Sequence, residues 1–214
     1  MNQIELTAVI KDEPRLDHVK YGERYYTFRV TSTRLSGVED IVNVVMSETK
    51  CKVEDVKPRR KIQITGAVRM KLGDVPRYLP YVTVREAKVV SDDTPEVNIA
   101  TIDGEIYGRT TLRETPNGKK ICDFFLDTTN GSGNRMGTPC IAWGNLAEYI
   151  GTLKAGKKLK VKGRFNSREY QKYVLGAPEI RTAYELSVFW INESDEDTGS
   201  AISLLDTKTD SFNV

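Results

Sequence analysis

Residues 140–170 read CIAWGNLAEYIGTLKAGKKLKVKGRFNSREY, and this one stretch holds a strand end, a short helix, a basic turn and a second strand. Cys140, Ile141, Ala142 and Trp143 read as the end of a strand, punctuated by Gly144 and Asn145. Leu146, Ala147, Tyr149, Ile150 and Leu153 then recur at helical spacing, which predicts one short helix that stops before Gly156. From Lys158 the period changes to two. Leu159, Val161 and Gly163 alternate with Lys158, Lys160, Lys162 and Arg164, giving the next strand one basic face. A basic strand face beside an aromatic suggests nucleic acid.

Upstream, the chain is strand-rich. Ile4, Leu6, Ala8 and Ile10 alternate in an opening strand, Tyr26, Phe28 and Val30 in a second, and Ile41 to Met46 form a third, nearly continuous apolar run. Ile62, Ile64 and Gly66 to Val68 supply a fourth, and Tyr81 to Val84 with Ala87, Val89 and Val90 a fifth. Five short strands in the first 91 residues suggest a small closed barrel. Residues 91–98, SDDTPEVN, are polar, acidic and interrupted by Pro95, as a linker is.

After that linker the pattern starts again. Residues 22–30, GERYYTFRV, line up with 118–126, GKKICDFFL, at an offset of 96, and 61–66, KIQITG, with 158–163, KLKVKG, at an offset of 97. Agreement in order and at nearly constant spacing argues for an internal repeat. Each repeat, five strands with at most one short helix between the third and fourth, is how an OB-fold looks in sequence. The expected fold is therefore all-β: two tandem five-stranded OB-fold barrels, residues 1–91 and 99–191, joined by a linker at 92–98 and followed by a flexible acidic tail, 192–214.

The net charge of +2 conceals an uneven distribution. Residues 1–91 carry 17 Lys and Arg against 12 Asp and Glu, residues 92–191 carry 14 against 12, and residues 192–214 carry 1 against 6. A basic body favours polyanions through counterion release, whereas an acidic tail contacts partner proteins or competes for the basic groove. Nothing in the chain approaches the roughly 18 consecutive apolar residues of a membrane helix, and residues 1–10 lack a signal-peptide apolar region, so a cytoplasmic location without membrane contact is expected. Cys51, Cys122 and Cys140 form no CxxC pair, so neither a disulfide nor a metal is expected. With His18 as the single histidine and no P-loop or nucleophile elbow, the inventory argues against an enzyme, and no cofactor is expected.

Residues 101–191 resemble a bacterial or phage single-stranded DNA-binding protein of the SSB family. The resemblance is carried by 112–119, LRETPNGK, leading into Ile121 to Thr128, by 140–148, CIAWGNLAE, and by 159–164, LKVKGR, with 168–170, REY. It implies sequence-independent binding of single-stranded DNA in replication, recombination or repair, with bases stacked on barrel-surface aromatics and phosphates tracked by cations. Trp143 and Tyr170 match the family's stacking positions. The pleat that turns Cys122, Phe124 and Leu126 inward turns Phe125 outward, where it stacks on DNA, packs against a partner barrel or is simply exposed at the surface. Lys119, Lys120, Arg164, Arg168 and Lys172, with Arg135 among others, are the candidate phosphate contacts. The first repeat has Val44, Val45 and Met46 near the position of Trp143 and no Leu-Ala-Glu block, so its own candidates are Arg77 and Tyr78, alongside Arg69, Lys71 and Tyr81. An adaptor or tandem-OB scaffold that binds protein partners first and nucleic acid weakly remains the alternative.

Family members commonly end in an acidic peptide that recruits replication proteins. Here Phe212 is displaced from the terminus, which leaves docking of replication or recombination proteins through the tail an open expectation. Because two barrels per chain need only two chains to present four, a homodimer is expected, with Ile4 to Ile10 and Ile102 to Tyr107 as the strands that pair between copies.

Overall fold

A computed structural model of the chain describes residues 1–72, 78–128, 137–174 and 176–193. The acidic tail beyond 193, Arg77 and Arg135 lie outside the described residues. In chain order the strands of the first half are β1 (Asn2–Ile10), β2 (Arg15–Lys20), β3 (Glu23–Thr33), β4 (Glu39–Ser47), β5 (Lys61–Leu72) and β6 (Tyr78–Val90). Those of the second are β7 (Val97–Ile106), β8 (Thr111–Glu114), β9 (Lys120–Asp127), β10 (Gly137–Trp143), β11 (Lys158–Val174) and β12 (Ala177–Glu193), with a helix α1 (Gly144–Thr152) between β10 and β11.

Each half closes on itself. In the first, β1 pairs with β3 and β5, β3 with β4, β4 with β6 and β6 with β5, the β4/β6 pair being parallel. The second repeats this ring strand for strand, with β10/β12 as its parallel pair. Closure removes free sheet edges, and the alternating apolar residues fill the two interiors: Ile4, Leu6, Phe28, Val44, Ile62 and Ile64 in one, Ile102, Phe124, Leu126, Val161, Phe165 and Leu186 in the other. The five strands expected in each half are all present.

The duplication reaches details that hydrophobic periodicity does not register. A bulge falls between Thr65 and Gly66 in one half and between Lys162 and Gly163 in the other. At both glycines the neighbouring strand comes too close for a side chain: a Cβ would lie 2.4 Å from the Thr83 carbonyl oxygen or 2.6 Å from that of Ser187. An asparagine side chain also clamps each barrel. Asn2 Nδ2 donates to the Val68 carbonyl (2.8 Å) and its Oδ1 accepts from the Val68 N–H (2.9 Å), while Asn98 holds Phe165 in the same two-way manner at 2.9 and 3.0 Å.

The halves are joined strand to strand. β1 and β7 pair antiparallel from Asn2↔Ile102 to Thr7↔Val97, so one sheet order, β6-β5-β1-β7-β11-β12, crosses from one barrel into the other. Ile4 faces Ala100, its counterpart in the repeat, and the ladder Gly66–Ile4–Ala100–Gly163 marks a local two-fold axis. The strands expected to pair between two copies therefore pair within one chain, because the repeat supplies both partners. The connection itself is short: β7 takes in Val97 and Asn98, Lys61 Nζ donates to the carbonyls of Asp92 (2.7 Å) and Thr94 (2.9 Å), and Glu96 accepts from the Thr33 N–H (2.7 Å). Among the described residues the α-helix lies in the second half, where Ala147 and Ile150 bury its inner face. The described part of the first half has a 3-10 turn at Val53–Asp55 instead, since residues 48–60, ETKCKVEDVKPRR, offer only the pair Val53 and Val56 at helical spacing and contain Pro58.

Candidate nucleic-acid interface

Cross-strand register defines one outer face on the second half. Trp143, Ile141 and Pro139 of β10 stand opposite Ile121, Asp123 and Phe125 of β9, and Ile141 stands opposite Ser187 of β12. Farther along, Glu185 faces Asn166, Ala183 faces Arg168 and Arg181 faces Tyr170 across β12 and β11. Side chains on the same side of neighbouring strands share a surface, so Phe125, Trp143, Arg168 and Tyr170 belong to one platform.

Trp143 is 37% exposed and Phe125 46% exposed. Trp143 is the last residue of β10 and immediately precedes α1, and the turn into the helix carries its indole clear of the core. Phe125 projects between the buried Phe124 and Leu126. Gly137 lies beneath it, where a Cβ would come within 2.6 Å of Phe125 Cβ, so the glycine makes room for the ring. Tyr170 is half-buried on the arm formed where β11 and β12 continue past the barrel, and Lys172 and Tyr173 are exposed on the same arm. Lys119 and Lys120 sit exposed at the β8/β9 turn, with Lys120 paired to Glu148 of α1.

Arg164 is placed differently from expectation. Its Nε contacts Asp40 at 3.2 Å and its Nη2 donates to the Ser32 carbonyl (3.2 Å) and Oγ (3.0 Å), all in the first half. The residue alternates correctly on its strand, but a buried carboxylate in the neighbouring barrel takes up its guanidinium, leaving it a joint between barrels. Tyr78 opens β6.

The centre of the face holds charges that sequence reading did not find. Arg113 of β8 pairs with Asp123 at 2.5 Å, and Arg168 approaches Glu185 at 3.9 Å. Burial pushes the Glu185 carboxyl above its ordinary range, opposed by Arg168, Arg113 and Arg34 and reinforced by Asp123. These groups are far apart in sequence, and Arg34 comes from the other half, so no local pattern announces them.

The corresponding face of the first half has a different set. Register places Ser47 where the second half has Trp143, and Arg29 where it has Phe125. Ser47 is bonded to Glu23, and Arg29 is paired with Asp12 at 2.6 Å. The aromatics here are Tyr25, stacked on His18 with ring centroids 4.6 Å apart, and Tyr81, with Lys71 Nζ 5.5 Å from its ring centre. Consecutive tyrosines in a strand point to opposite sides, which was the available signal for Tyr25 beside the inward-alternating Tyr26.

Residues 97–189 match the single-strand binding protein family. The match falls entirely within the second half of the chain, from the start of β7 into β12. Among solved structures, the wild-type single-stranded DNA binding protein from Thermus aquaticus is similar with a TM-score of 0.74 at 16% identity, over 94% of this chain and 96% of that one. A deletion mutant of the same Thermus aquaticus protein gives 0.72 at 17% identity, over 92% and 96%. The likeness is one of fold and extends across both halves. No curated protein matches the chain in sequence.

Proposed function

We propose that the chain binds single-stranded DNA with its second half as the principal platform, covering unpaired strands during replication, recombination or repair. The observation that carries this is the set of rings on one face, the exposed Phe125 and Trp143 and the half-buried Tyr170, interleaved with Arg168 and Lys172 in the half that matches the single-strand binding protein family. Every base offers a π-face, so each stacked ring contributes roughly 1–3 kcal/mol without reading sequence, while the cations release counterions from the backbone. The first half adds a weaker extension through Tyr25, Tyr81, Arg69 and Lys71. Titration of a labelled oligonucleotide, alone and annealed to its complement, tests this. Tight, salt-sensitive binding of the single strand and weak binding of the duplex is the expected result; equal affinities would refute it.

We also propose that two chains associate through the outer surface of the six-stranded run β6-β5-β1-β7-β11-β12, now that the β1 and β7 edges are used internally. That surface carries Glu5, Gln63, Thr65, Glu86, Lys88, Ile99, Lys162 and Trp190, a mixture of both charge signs that can complement itself. Light scattering is expected to give twice the 24.1 kDa of one chain, and a mass of one chain would exclude the dimer.

A further inference from the structure

An acidic side chain in the middle of a polyanion-binding face calls for an explanation. Glu185 is only 17% exposed and lies on β12, with Phe125 on the β9 side of it and Arg168 and Tyr170 on the β11 side. Its pairing with Arg168 is long, at 3.9 Å, beyond hydrogen-bond reach. Directly across from it in the ladder is Asn166, whose Oδ1 is buried with no hydrogen-bond partner. Two acceptor groups thus stand side by side between stacking rings. A buried acceptor left without a donor is costly, and the donors that a stacked base can bring are those on its edge.

We infer that Glu185 and Asn166 read the edge of a base stacked on this face, favouring bases that carry an amino group over thymine. The inference rests on the single-strand reading given above. Cytosine presents its N4 amino group, adenine its N6 amino group, and guanine an adjacent N–H and N2 amino group; a carboxylate accepts from each. Thymine offers one N–H between two carbonyl oxygens, and those oxygens meet the carboxylate and the amide oxygen with like partial charge. Arg34, Arg113 and Arg168 surround Glu185 and offset its charge towards the phosphates, while Asp123, the other carboxylate near it, is already held by Arg113. The platform consequently combines sequence-tolerant stacking with one base-selective position.

The full-length chain is titrated at constant salt and neutral pH with labelled oligo-dC and oligo-dT of equal length. The wild type is expected to bind dC about five- to tenfold more tightly than dT, the lower range for one good base-edge contact. In Glu185→Gln both strands are expected to bind more tightly, because a negative charge is gone, and the dC preference should collapse or reverse, because an amide can also donate to thymine O4. Asp123→Asn removes a charge from the same face without touching the acceptor pair and is expected to keep the preference. Equal dC and dT affinities in the wild type, or an unchanged ratio in Glu185→Gln, would overturn the inference. Failure to bind either strand would overturn the single-strand reading itself.

Discussion

Asp40 is fully buried and yet surrounded by donors. Arg34 reaches it through Nε (2.9 Å) and Nη2 (2.7 Å), Arg164 through Nε (3.2 Å), and the Ser167 N–H donates to its Oδ1 at 2.8 Å. A carboxylate withdrawn from water is tolerated only when its lone pairs are satisfied in this way, and two of the four contacts come from the other barrel. Asp40→Ala would leave two guanidiniums facing each other without a counter-charge. The two arginines stay 29% and 27% exposed, which places the expected loss near the low end for a broken buried pair, about 3 kcal/mol. Denaturant unfolding of the variant measures it; a loss well under about 1 kcal/mol would mean that this junction contributes little. Neither Asp40 nor the fate of Arg164 was readable in sequence, because the partners lie 124 residues apart. Phe125 and Trp143 were readable: alternation fixes which side of a strand a ring takes, and a strand-to-helix turn explains an exposed indole. Glu185 was not, since a carboxylate in an alternating strand looks like any other solvated charge.

Among the elements, those that bury alternating apolar residues were legible and those that do not were missed. β2 and β8 are exposed at every position and carry no alternation, so the hairpins they form with β3 and β9 left no trace in the hydrophobic pattern. By alternation β11 reads as a strand as far as Arg164, where its inward residues are Leu159, Val161 and Gly163; its continuation to Val174, one side of a two-stranded arm whose outer residues have no core to face, was signalled only by the family resemblance that placed Tyr170 in an extension of this strand. The helix after Trp143 was visible from its apolar spacing, whereas the 3-10 turn at Val53–Asp55 left no signal in the sequence beyond the missing Leu-Ala-Glu block. The internal repeat was visible because Gly66 and Gly163 sit at bulges where no other residue fits, keeping the glycines in register at an offset of 97. The asparagine clamps were hidden, being single polar residues whose partners lie 66 and 67 positions away.

At the scale of the whole molecule, duplication explains the architecture and, on the reading proposed above, the division of labour. One chain supplies both copies of the opening strand, and β1 and β7 pair within it. The second half keeps exposed rings at the positions of Trp143 and Phe125, while the first has Ser47 and Arg29 there, each tied down by a neighbouring carboxylate. Its Asp40 anchors the joint instead. The central claim is a location: single-stranded DNA lies across β9, β10 and the β11–β12 arm. Hydroxyl-radical footprinting of side chains, with and without a saturating single strand, tests that location most directly. The account predicts reduced oxidation of Phe125, Trp143 and Tyr170, with Phe189 and Ile99 unchanged; protection of Phe189 and Ile99 with Phe125 and Trp143 unaltered would contradict it.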